Sequence, residues 1–315
     1  PWAIMALLKS GLPSNHPSLV RAGEWMLEKE VKSFGDWSMK NHVREPSGWY
    51  FQHANEFYPD NDDAAVVMMS LQLLDLPDKD RKSQAILRGF KWLMGMQCND
   101  GGWGSFDKNN NKKILNNIPF ADWNALLDPS TSDLTARVLD LMGKLGYDLS
   151  FSPAKKAVDF LKKEQEKNGS WFGRWGTNYV YGTWSVLTGL YSIKEDMNKD
   201  YVKKSASWLI DFQNEDGGWG ETCKSYWDTS FSAIGRSTAS QTSWAVLGLL
   251  CTEERYSEAV KKGIEYLINT QKEDGTWDEE EFTGTGFPKI FYLRYHMYRS
   301  YFPLLALSKF RNMIE

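Results

Sequence analysis

Residues 203–219, "KKSASWLIDFQNEDGGW", belong to a segment that occurs in similar form four times along the chain. In each copy an aromatic residue precedes a glutamine by five positions, and a tryptophan follows that glutamine after six. A pattern kept at fixed internal spacing indicates a repeat architecture. The copies end at Trp103, Trp171, Trp219 and Trp277, and a fifth, degenerate copy ends at Trp37.

Each copy predicts an amphipathic helix that ends in a glycine turn. More apolar helices lie between the copies, for example "AAVVMMSLQLL" and "TSWAVLGLLC". Helices that are apolar all round are buried, and amphipathic helices cover them. The sequence therefore predicts an all-α fold, an α/α barrel with six inner and five outer helices, one outer helix short of six hairpins. We expect the repeat Gln and Trp side chains to hold this barrel together.

The composition excludes several classes of protein. The 315 residues are 42% apolar and 25% charged, with a net charge of −4 and no basic block, so nucleic acid is not an expected partner. Three cysteines without metal-ligand spacing favour a reducing compartment and no disulfide framework. No signal peptide or bilayer-spanning stretch is evident, although a helix lying in the membrane interface would escape this test. Aromatic residues make up 14% of the chain, which predicts a function that uses rings.

The stretch "FYPDNDDAAVVMM", residues 57–69, places three carboxylates directly before an apolar helix. One interpretation is an N-cap followed by first-turn acids, which the helix dipole favours. A cap needs only one carboxylate, however, and this helix is an inner one. We therefore expect Asp60, Asp62 and Asp63 to lie at the N-terminal end of an inner helix and to face a central cavity.

Several motifs resemble one family. The repeats resemble the QW motifs of triterpene cyclases, and "DNDD" resembles the DxDD acid motif of class II terpene cyclases. The segments "MQCNDGGWGSFDKNN", "GSWFGRWGTNYVYGT" and "FTGTGFPKIFYLRYHMYRSYFP" resemble squalene–hopene cyclases. The resemblance runs along the whole chain but covers only the catalytic C-terminal half of such enzymes. It implies one catalytic domain, residues 1–315, without the family's second, N-terminal barrel.

The resemblance also implies an activity, which is polycyclisation of squalene, or of the related tetraprenyl-β-curcumene, started by a proton and needing no metal or cofactor. Asp62 would be the proton donor, and Asp60 and Asp63 would tune it. Arg137 stands where squalene–hopene cyclases have a histidine that pairs with the catalytic aspartate. Alternatively, Arg137 pairs with Asp133 or Asp140 on its own helix.

Further residues carry over as the lining of the substrate cavity, where aromatic faces would stabilise cations. They are Phe51, Phe106, Phe120, Asp122, Trp123, Trp175, Tyr181, Phe287, Phe291, Leu293, Tyr295 and Tyr298. Phe106 replaces the usual Tyr and Trp123 the usual Phe, which bears on the substrate and on the number of rings formed. Asp122 resembles a residue of the substrate channel, and its alternative role is that of a loop acid.

The implied partners are a hydrophobic polyprenoid, the family's N-terminal domain and a membrane surface. We expect peripheral attachment on the cytoplasmic side, and a homodimer stays open. Two other functions compete with cyclisation. Glu221, Cys223 and His296 loosely resemble the zinc ligands of protein prenyltransferase β subunits. A barrel that only binds lipid is the non-enzymatic alternative.

Overall fold

The computed structural model describes residues 1–43, 45–112 and 126–315. In this part of the chain eleven α-helices alternate along the sequence between an inner and an outer position. The inner helices are α1 (Trp2–Lys9), α3 (Asn61–Leu73), α5 (Ser132–Lys144), α7 (Tyr179–Ser192), α9 (Ala239–Leu249) and α11 (Tyr298–Ile314). The outer helices are α2 (Pro17–Glu28), α4 (Lys79–Gly95), α6 (Ser152–Glu164), α8 (Asp200–Asp211) and α10 (Glu258–Asn269).

The inner helices form a closed ring. Each of them contacts the next inner helix along the chain, and α11 returns to contact α1. The α3, α5, α7 and α9 helices are buried along nearly their whole length, whereas the outer helices bury one face. The predicted barrel of six inner and five outer helices is therefore confirmed for the described part of the chain.

Hydrogen bonds from the repeat tryptophans and glutamines join the outer helices. The Trp of each of the four full copies donates its indole N–H to a backbone carbonyl ten residues earlier, at 2.7–2.8 Å. Gln213 donates its amide to the carbonyls of Gly217 and Ala259, and Ala259 lies in the first turn of the next outer helix. Gln97 and Gln165 bond in the same way to Pro153 and Tyr201. These bonds agree with the structural role expected for the repeats.

Glycines let α5 and α7 approach closely. A Cβ atom at Gly189 of α7 would lie 2.5 Å from the carbonyl oxygen of Ala136 in α5. At the other end of the contact, a Cβ atom at Gly143 would lie 2.2 Å from the carbonyl oxygen of Ser192. Real Cβ atoms do not come this close, so both positions require glycine at this packing distance. This close approach brings the α5 side chains against α7.

Short elements complete the fold. A two-stranded antiparallel sheet, β1 (Gly284–Phe287) and β2 (Phe291–Leu293), pairs Gly284 with Leu293 and Thr285 with Tyr292. Backbone bonds continue from β1 to the segment that precedes α7, since the Thr285 N–H donates to the Trp175 carbonyl at 3.1 Å. Single 3-10 turns cover Asp36–Met39, Cys223–Tyr226, Thr229–Phe231 and Glu253–Tyr256. Within the described ranges, none of the helices combines the length and apolar character needed to cross a bilayer.

Candidate active site

The three carboxylates of residues 60–63 lie together where α3 begins. Asp60 is the N-cap, because its Oδ1 accepts the backbone N–H groups of Asp62 at 2.6 Å and Asp63 at 3.1 Å. The capping interpretation thus accounts for Asp60, while Asp62 and Asp63 occupy the first helical turn. Asp60 is buried, with 8% of its surface exposed, and the Asp62 side chain is 27% exposed. The predicted position of the acids at the N-terminal end of an inner helix is therefore confirmed.

The cluster holds its protons more tightly than exposed aspartates do. Burial raises the pKa of Asp60 well above its usual range, and the Asp63 and Asp62 carboxylates raise it further. Burial, followed by the charge of Asp62, raises the pKa of Asp63 to about 7. Burial also raises the pKa of Asp62, and the lowering effect of the Arg137 guanidinium does not cancel this. Since the three groups interact, they titrate as one coupled set.

Arg137, from the second turn of α5, contacts Asp62 directly. Its Nε donates to Asp62 Oδ1 at 3.1 Å, across 75 positions of sequence. Its Nη2 lies 3.3 Å from the Tyr181 hydroxyl and 3.4 Å from Ser185 Oγ, both on α7. The Arg137 side chain is 1% exposed. A buried guanidinium, which keeps its proton, thus faces the one acid of the cluster predicted to be the donor.

The alternative pairing of Arg137 with Asp133 or Asp140 is wrong. The Asp133 carboxylate instead accepts backbone N–H groups, from Leu134 in its own helix and from Arg174 and Trp175 before α7. Asp140 binds Lys144 and Ser192 at the far end of α5. Both carboxylates already have strong donors, so the guanidinium is left to the acid of the neighbouring helix.

Aromatic rings fill the barrel axis beneath Arg137. Trp184 of α7 stacks on Trp244 of α9, with centroids 6.0 Å apart and planes within 5°. Phe302 of α11 meets both indoles edge-on, at 5.3 and 5.4 Å. Tyr181 packs edge-on against the same two indoles. The expected central cavity is therefore not found along the axis at this depth, and the space open to Asp62 lies at the mouth of the barrel.

Three of the predicted cavity rings meet at this mouth. Tyr295 stacks on Tyr298, with centroids 4.7 Å apart, and contacts Phe51 edge-on at 6.4 Å. Tyr298 also touches Trp244 and Phe302, which connects the mouth to the axis. Phe51 is 62% exposed. The structure therefore brings Phe51, Tyr295 and Tyr298 together with Tyr181 around the acid end of the barrel.

The remaining predicted residues divide into four groups. Phe287 and Phe291 contact each other in the β-hairpin at 5.7 Å, and Leu293 pairs with Gly284 in the same sheet. Trp175 precedes α7, and its backbone N–H is held by Asp133. Phe106 lines a separate cavity of about 210 Å³ beside Pro59, the residue before Asp60. Phe120, Asp122 and Trp123 lie outside the described residues, so their roles stay predictions.

Sequence reasoning missed five residues of this site. They are Trp2, Trp184, Ser185, Trp244 and Phe302. A signal was present, because Trp184 follows Tyr181 by three positions and so shares its helix face. Each of the other three aromatics lies in the first two turns of an inner helix, at the same level as the acids.

Two of the three residues proposed as zinc ligands, Glu221 and Cys223, have other partners. The buried Glu221 carboxylate accepts the N–H groups of Asn178, Tyr179 and Val180, at 2.9–3.3 Å, and so caps α7. Cys223 Sγ donates to the Phe282 carbonyl at 3.4 Å. Among the residues that the structure describes, no group of three His, Cys, Asp or Glu side chains is arranged to hold a metal ion. Glu221 therefore acts here as a helix cap.

Comparison with known sequences identifies close relatives. The family described as squalene–hopene cyclase C-terminal domain matches residues 1–312. Squalene–hopene cyclase of Alicyclobacillus acidocaldarius is 46% identical over 313 residues, which are 99% of this chain and 50% of that protein. Squalene–hopene cyclase of Zymomonas mobilis is 48% identical over 314 residues, covering 98% of this chain and 47% of that protein. The chain thus spans about half the length of these relatives.

Solved structures agree on the fold. The type II terpene cyclase MstE from Scytonema, in its apo form, superposes with a TM-score of 0.66. The match covers 99% of this chain and 88% of that one, at 15% sequence identity. At this identity the likeness concerns the arrangement of helices alone. The more specific information comes from the sequence relatives and from the acid cluster itself.

Proposed function

This chain belongs to the squalene–hopene cyclase C-terminal domain family, and from that premise we propose that it starts polyprenoid cyclisation by protonating a carbon–carbon double bond. The observation that carries the proposal is the Asp60–Asp62–Asp63 cluster, in which burial raises the pKa of each carboxyl group and Asp62 accepts a hydrogen bond from a buried guanidinium. An unactivated alkene is a weak base, so its protonation needs a strong acid in a place that excludes water.

In the first step the Asp62 carboxyl gives its proton to the terminal double bond of the substrate. The π electron pair of that bond forms the new C–H bond, which leaves a tertiary carbocation on the substrate and a carboxylate on Asp62. Each following double bond attacks the cation in turn, so a ring closes and the positive charge moves along the chain. Loss of a proton or capture of water ends the sequence, and no oxidant, metal or diphosphate leaving group takes part.

Asp62 suits the donor role because it combines a retained proton with a stabilised anion. Burial raises the pKa of Asp62 and so favours its protonated form, and the Arg137 guanidinium stabilises the carboxylate once the proton has left. Asp60 fixes the start of α3 through its two cap hydrogen bonds and so orients the acid. Burial and the charge of Asp62 raise the pKa of Asp63 to about 7, so the two neighbouring acids oppose ionisation of both groups at once. Arg137 itself cannot relay a proton, so Asp62 regains its proton by another route.

The rings around the mouth suit the cationic intermediates. Phe51, Tyr181, Tyr295 and Tyr298 present π systems near Asp62, and each desolvated cation–π contact contributes roughly 2 kcal/mol. The other predicted lining residues, Phe106, Phe120, Asp122, Trp123, Trp175, Phe287, Phe291 and Leu293, complete the proposed substrate site. Aromatic faces stabilise a cation without forming a bond that would end the reaction early.

The proposed substrate is squalene or tetraprenyl-β-curcumene, a long hydrocarbon with several double bonds. The names of the sequence relatives support squalene. Such a molecule is insoluble in water, so we place the full-length protein at the cytoplasmic face of a membrane, peripherally attached. Exposed apolar side chains near the acid end, among them Phe51, Phe57 and Met297, support this placement.

A second domain would complete the reaction chamber. Asp62 opens to the mouth of the barrel, where 27% of its side chain is exposed, and water there would capture carbocations. The relatives carry about twice the sequence of this chain. We propose that their additional N-terminal barrel has a counterpart that covers this mouth. A homodimer stays an open part of the proposal. The zinc enzyme and the non-catalytic lipid carrier are not favoured, because the acid cluster is intact and the sequence relatives are cyclases.

The test is incubation of the full-length protein and of residues 1–315 separately with squalene and with tetraprenyl-β-curcumene. Products are identified by gas chromatography with mass spectrometry. We expect cyclised products from the full-length protein, and none or only partly cyclised alcohols from residues 1–315. Failure of the full-length protein to cyclise either polyprenoid would remove the proposed function. Complete cyclisation by residues 1–315 alone would remove the shared chamber and leave the function intact.

A further inference from the structure

The Arg137 guanidinium lies in a corner formed by two indole rings. Its central carbon is over the Trp2 ring at 4.5 Å and over the Trp184 ring at 5.0 Å. The two rings are 5.6 Å apart and tilted by 51° to each other, so they bound the guanidinium on two sides. We call Trp2 and Trp184 the aromatic corner. Neither residue was predicted from the sequence to belong to the site.

The polar contacts of Arg137 are too weak to fix its position alone. Only the bond from Nε to Asp62, at 3.1 Å, lies within the ordinary range for an N–H···O hydrogen bond. The two bonds from Nη2, to Tyr181 and Ser185, are 3.3 and 3.4 Å long. A long, flexible side chain held at one good point would swing about that point. The indole faces supply the missing restraint, because a desolvated guanidinium is attracted to them.

The aromatic corner is itself held from below. Trp184 is 1% exposed and wedged between Trp244, Phe302 and Tyr181 on three helices. Trp2 packs against the same Phe302, with centroids 5.4 Å apart. The position of the rings is thus fixed by the packed axis of the barrel. A rigid support behind a charged side chain is what precise placement of that charge requires.

We propose that Trp184, assisted by Trp2, is a positioning residue that holds the Arg137 guanidinium against Asp62 and thereby sets how strong an acid Asp62 is. The inference rests on the proposed function, since acid strength matters only for a proton donor. Trp184 and Trp2 touch the guanidinium and not the reacting atoms, so they act through Arg137.

The effect of moving the guanidinium has a definite sign. Asp62 is active when protonated, so activity falls as the pH rises through its pKa. Arg137 lowers that pKa, and an Arg137 side chain that is less firmly held lowers it less. Asp62 is then a weaker acid, and the alkaline limb of the pH–rate profile moves to higher pH. The ionisable groups around Asp62 are Asp60, Asp63, Asp133, Arg137, Tyr181, Tyr295, Tyr298 and Tyr301. The tyrosines have raised pKa values, so they stay neutral across this range.

The experiment compares Trp184→Leu, Trp184→Phe and Trp2→Phe in the full-length protein, with Trp208→Leu as the matched control. Trp208 is an equally buried indole on the outer helix α8, where it packs against Phe212. The first readout is the pH–rate profile of cyclisation. The second is the Nε–H resonance of Arg137 in protein labelled with ¹⁵N-arginine, assigned by its loss in Arg137→Lys. The second readout needs no activity.

For Trp184→Leu we expect a roughly tenfold lower rate at the optimum. We also expect an alkaline limb shifted up by about one pH unit and an Arg137 resonance moved from its wild-type position. Trp184→Phe and Trp2→Phe should give smaller shifts in the same direction, and they carry the test if Trp184→Leu does not fold. Trp208→Leu should change neither the limb nor the resonance.

Two results would overturn the inference. One is a Trp184→Leu protein that keeps both the wild-type limb and the wild-type resonance. The other is a Trp208→Leu protein that reproduces both changes, which would reduce them to a general loss of packing. If the wild-type protein cyclises nothing, the proposed function fails, and the resonance alone then decides whether the aromatic corner places Arg137.

Discussion

Two buried charge clusters share α5, and they differ in the balance of their charges. At its N-terminal end Arg137 donates to Asp62, one of three aspartates that lie together at the start of α3. One turn further on, a single aspartate, Asp140, receives hydrogen bonds from Lys144 and Ser192, each at 2.5 Å. We refer to these as the mouth cluster and the base cluster.

The two clusters titrate in opposite directions. Burial acts to raise the pKa of every aspartate in both. At the base, Lys144 and Ser192 outweigh burial, so the pKa of Asp140 lies below its usual range. At the mouth, burial and mutual repulsion of the acids prevail over Arg137. Because burial is common to both clusters, it does not distinguish them. The excess of carboxyl groups over basic groups distinguishes a cluster that can give up a proton from one that holds helices together.

The largest expected effect is on catalysis at the mouth. Asp62→Asn keeps the size of the side chain and removes the acid, so cyclisation by the full-length protein should fall by at least about 10³-fold. The melting temperature should change little, because Asn resembles the neutral, protonated carboxyl group and its Oδ1 can still accept the hydrogen bond from Arg137. Product yield and thermal unfolding are measured on the same preparation. Turnover at the wild-type rate would show that Asp62 is not the donor.

At the base the same chemical change should affect stability. Asp140→Asn leaves the partly buried Lys144 without its carboxylate, and we expect a loss of about 1–3 kcal/mol in the free energy of unfolding. Denaturant titration measures this loss. Adding Lys144→Met should recover part of it, because the unpaired charge is then gone. A single mutant as stable as the wild type would mean that the base cluster does not hold the helices.

The pH dependence of stability should separate the clusters further. Asp63 has a pKa raised to about 7, so the folded state binds a proton that the unfolded state loses near pH 4. Stability from this group therefore falls as the pH rises from about 4 to about 7. Asp140 has a lowered pKa, and its contribution is lost only as the pH falls below about 4.

Asp63→Asn should flatten the decline in stability between about pH 4 and pH 7. At pH 7.5 we expect its free energy of unfolding to exceed that of the wild type by about 1–2 kcal/mol. Thermal unfolding at a series of pH values from 4.5 to 8 measures it. Parallel curves for mutant and wild type would contradict the raised pKa of Asp63. The same series for Asp140→Asn is the control, and its curve should run parallel to that of the wild type above pH 5.

The smallest effects concern two serines of α7 that serve the two clusters. Ser192 Oγ bonds to Asp140 at 2.5 Å, whereas Ser185 Oγ lies 3.4 Å from Arg137. Ser192→Ala should lower the free energy of unfolding by about 1 kcal/mol, and Ser185→Ala should lower it by less than about 0.5 kcal/mol. Denaturant unfolding of the two variants side by side provides the measurement. Equal costs would imply that the mouth is built as rigidly as the base.

The fold could be predicted from the sequence because the pattern that specifies the helices repeats along the chain. The spacing from aromatic residue to Gln to Trp fixes each outer helix and its turn, and apolar runs between the copies supply the inner helices. The position of Asp60, Asp62 and Asp63 at the start of α3 followed from helix-capping chemistry. Such local rules need only neighbours within one or two turns.

The contacts within the site were beyond local rules. Spacing favoured Asp133 or Asp140 as the partner of Arg137, but Asp133 is engaged by backbone N–H groups 41 and 42 positions away. The actual partner, Asp62, lies 75 positions back. The corner of Trp2 and Trp184 depends likewise on how the inner helices close into a ring. The pairing with Asp62 could be anticipated only through the family resemblance.

The closure of the inner ring has a consequence for how the protein is made. Asn312 donates to the Lys9 carbonyl at 3.2 Å across 303 positions, whereas the other contacts of the ring join helices that follow one another. Ribosomes add about 5–20 residues per second, so α11 is synthesised roughly 15–60 s after α1. During that interval the apolar side of α1 that α11 will cover is open to other chains. We therefore expect nascent chains that stop short of α11 to be the ones that chaperones bind and proteases cut.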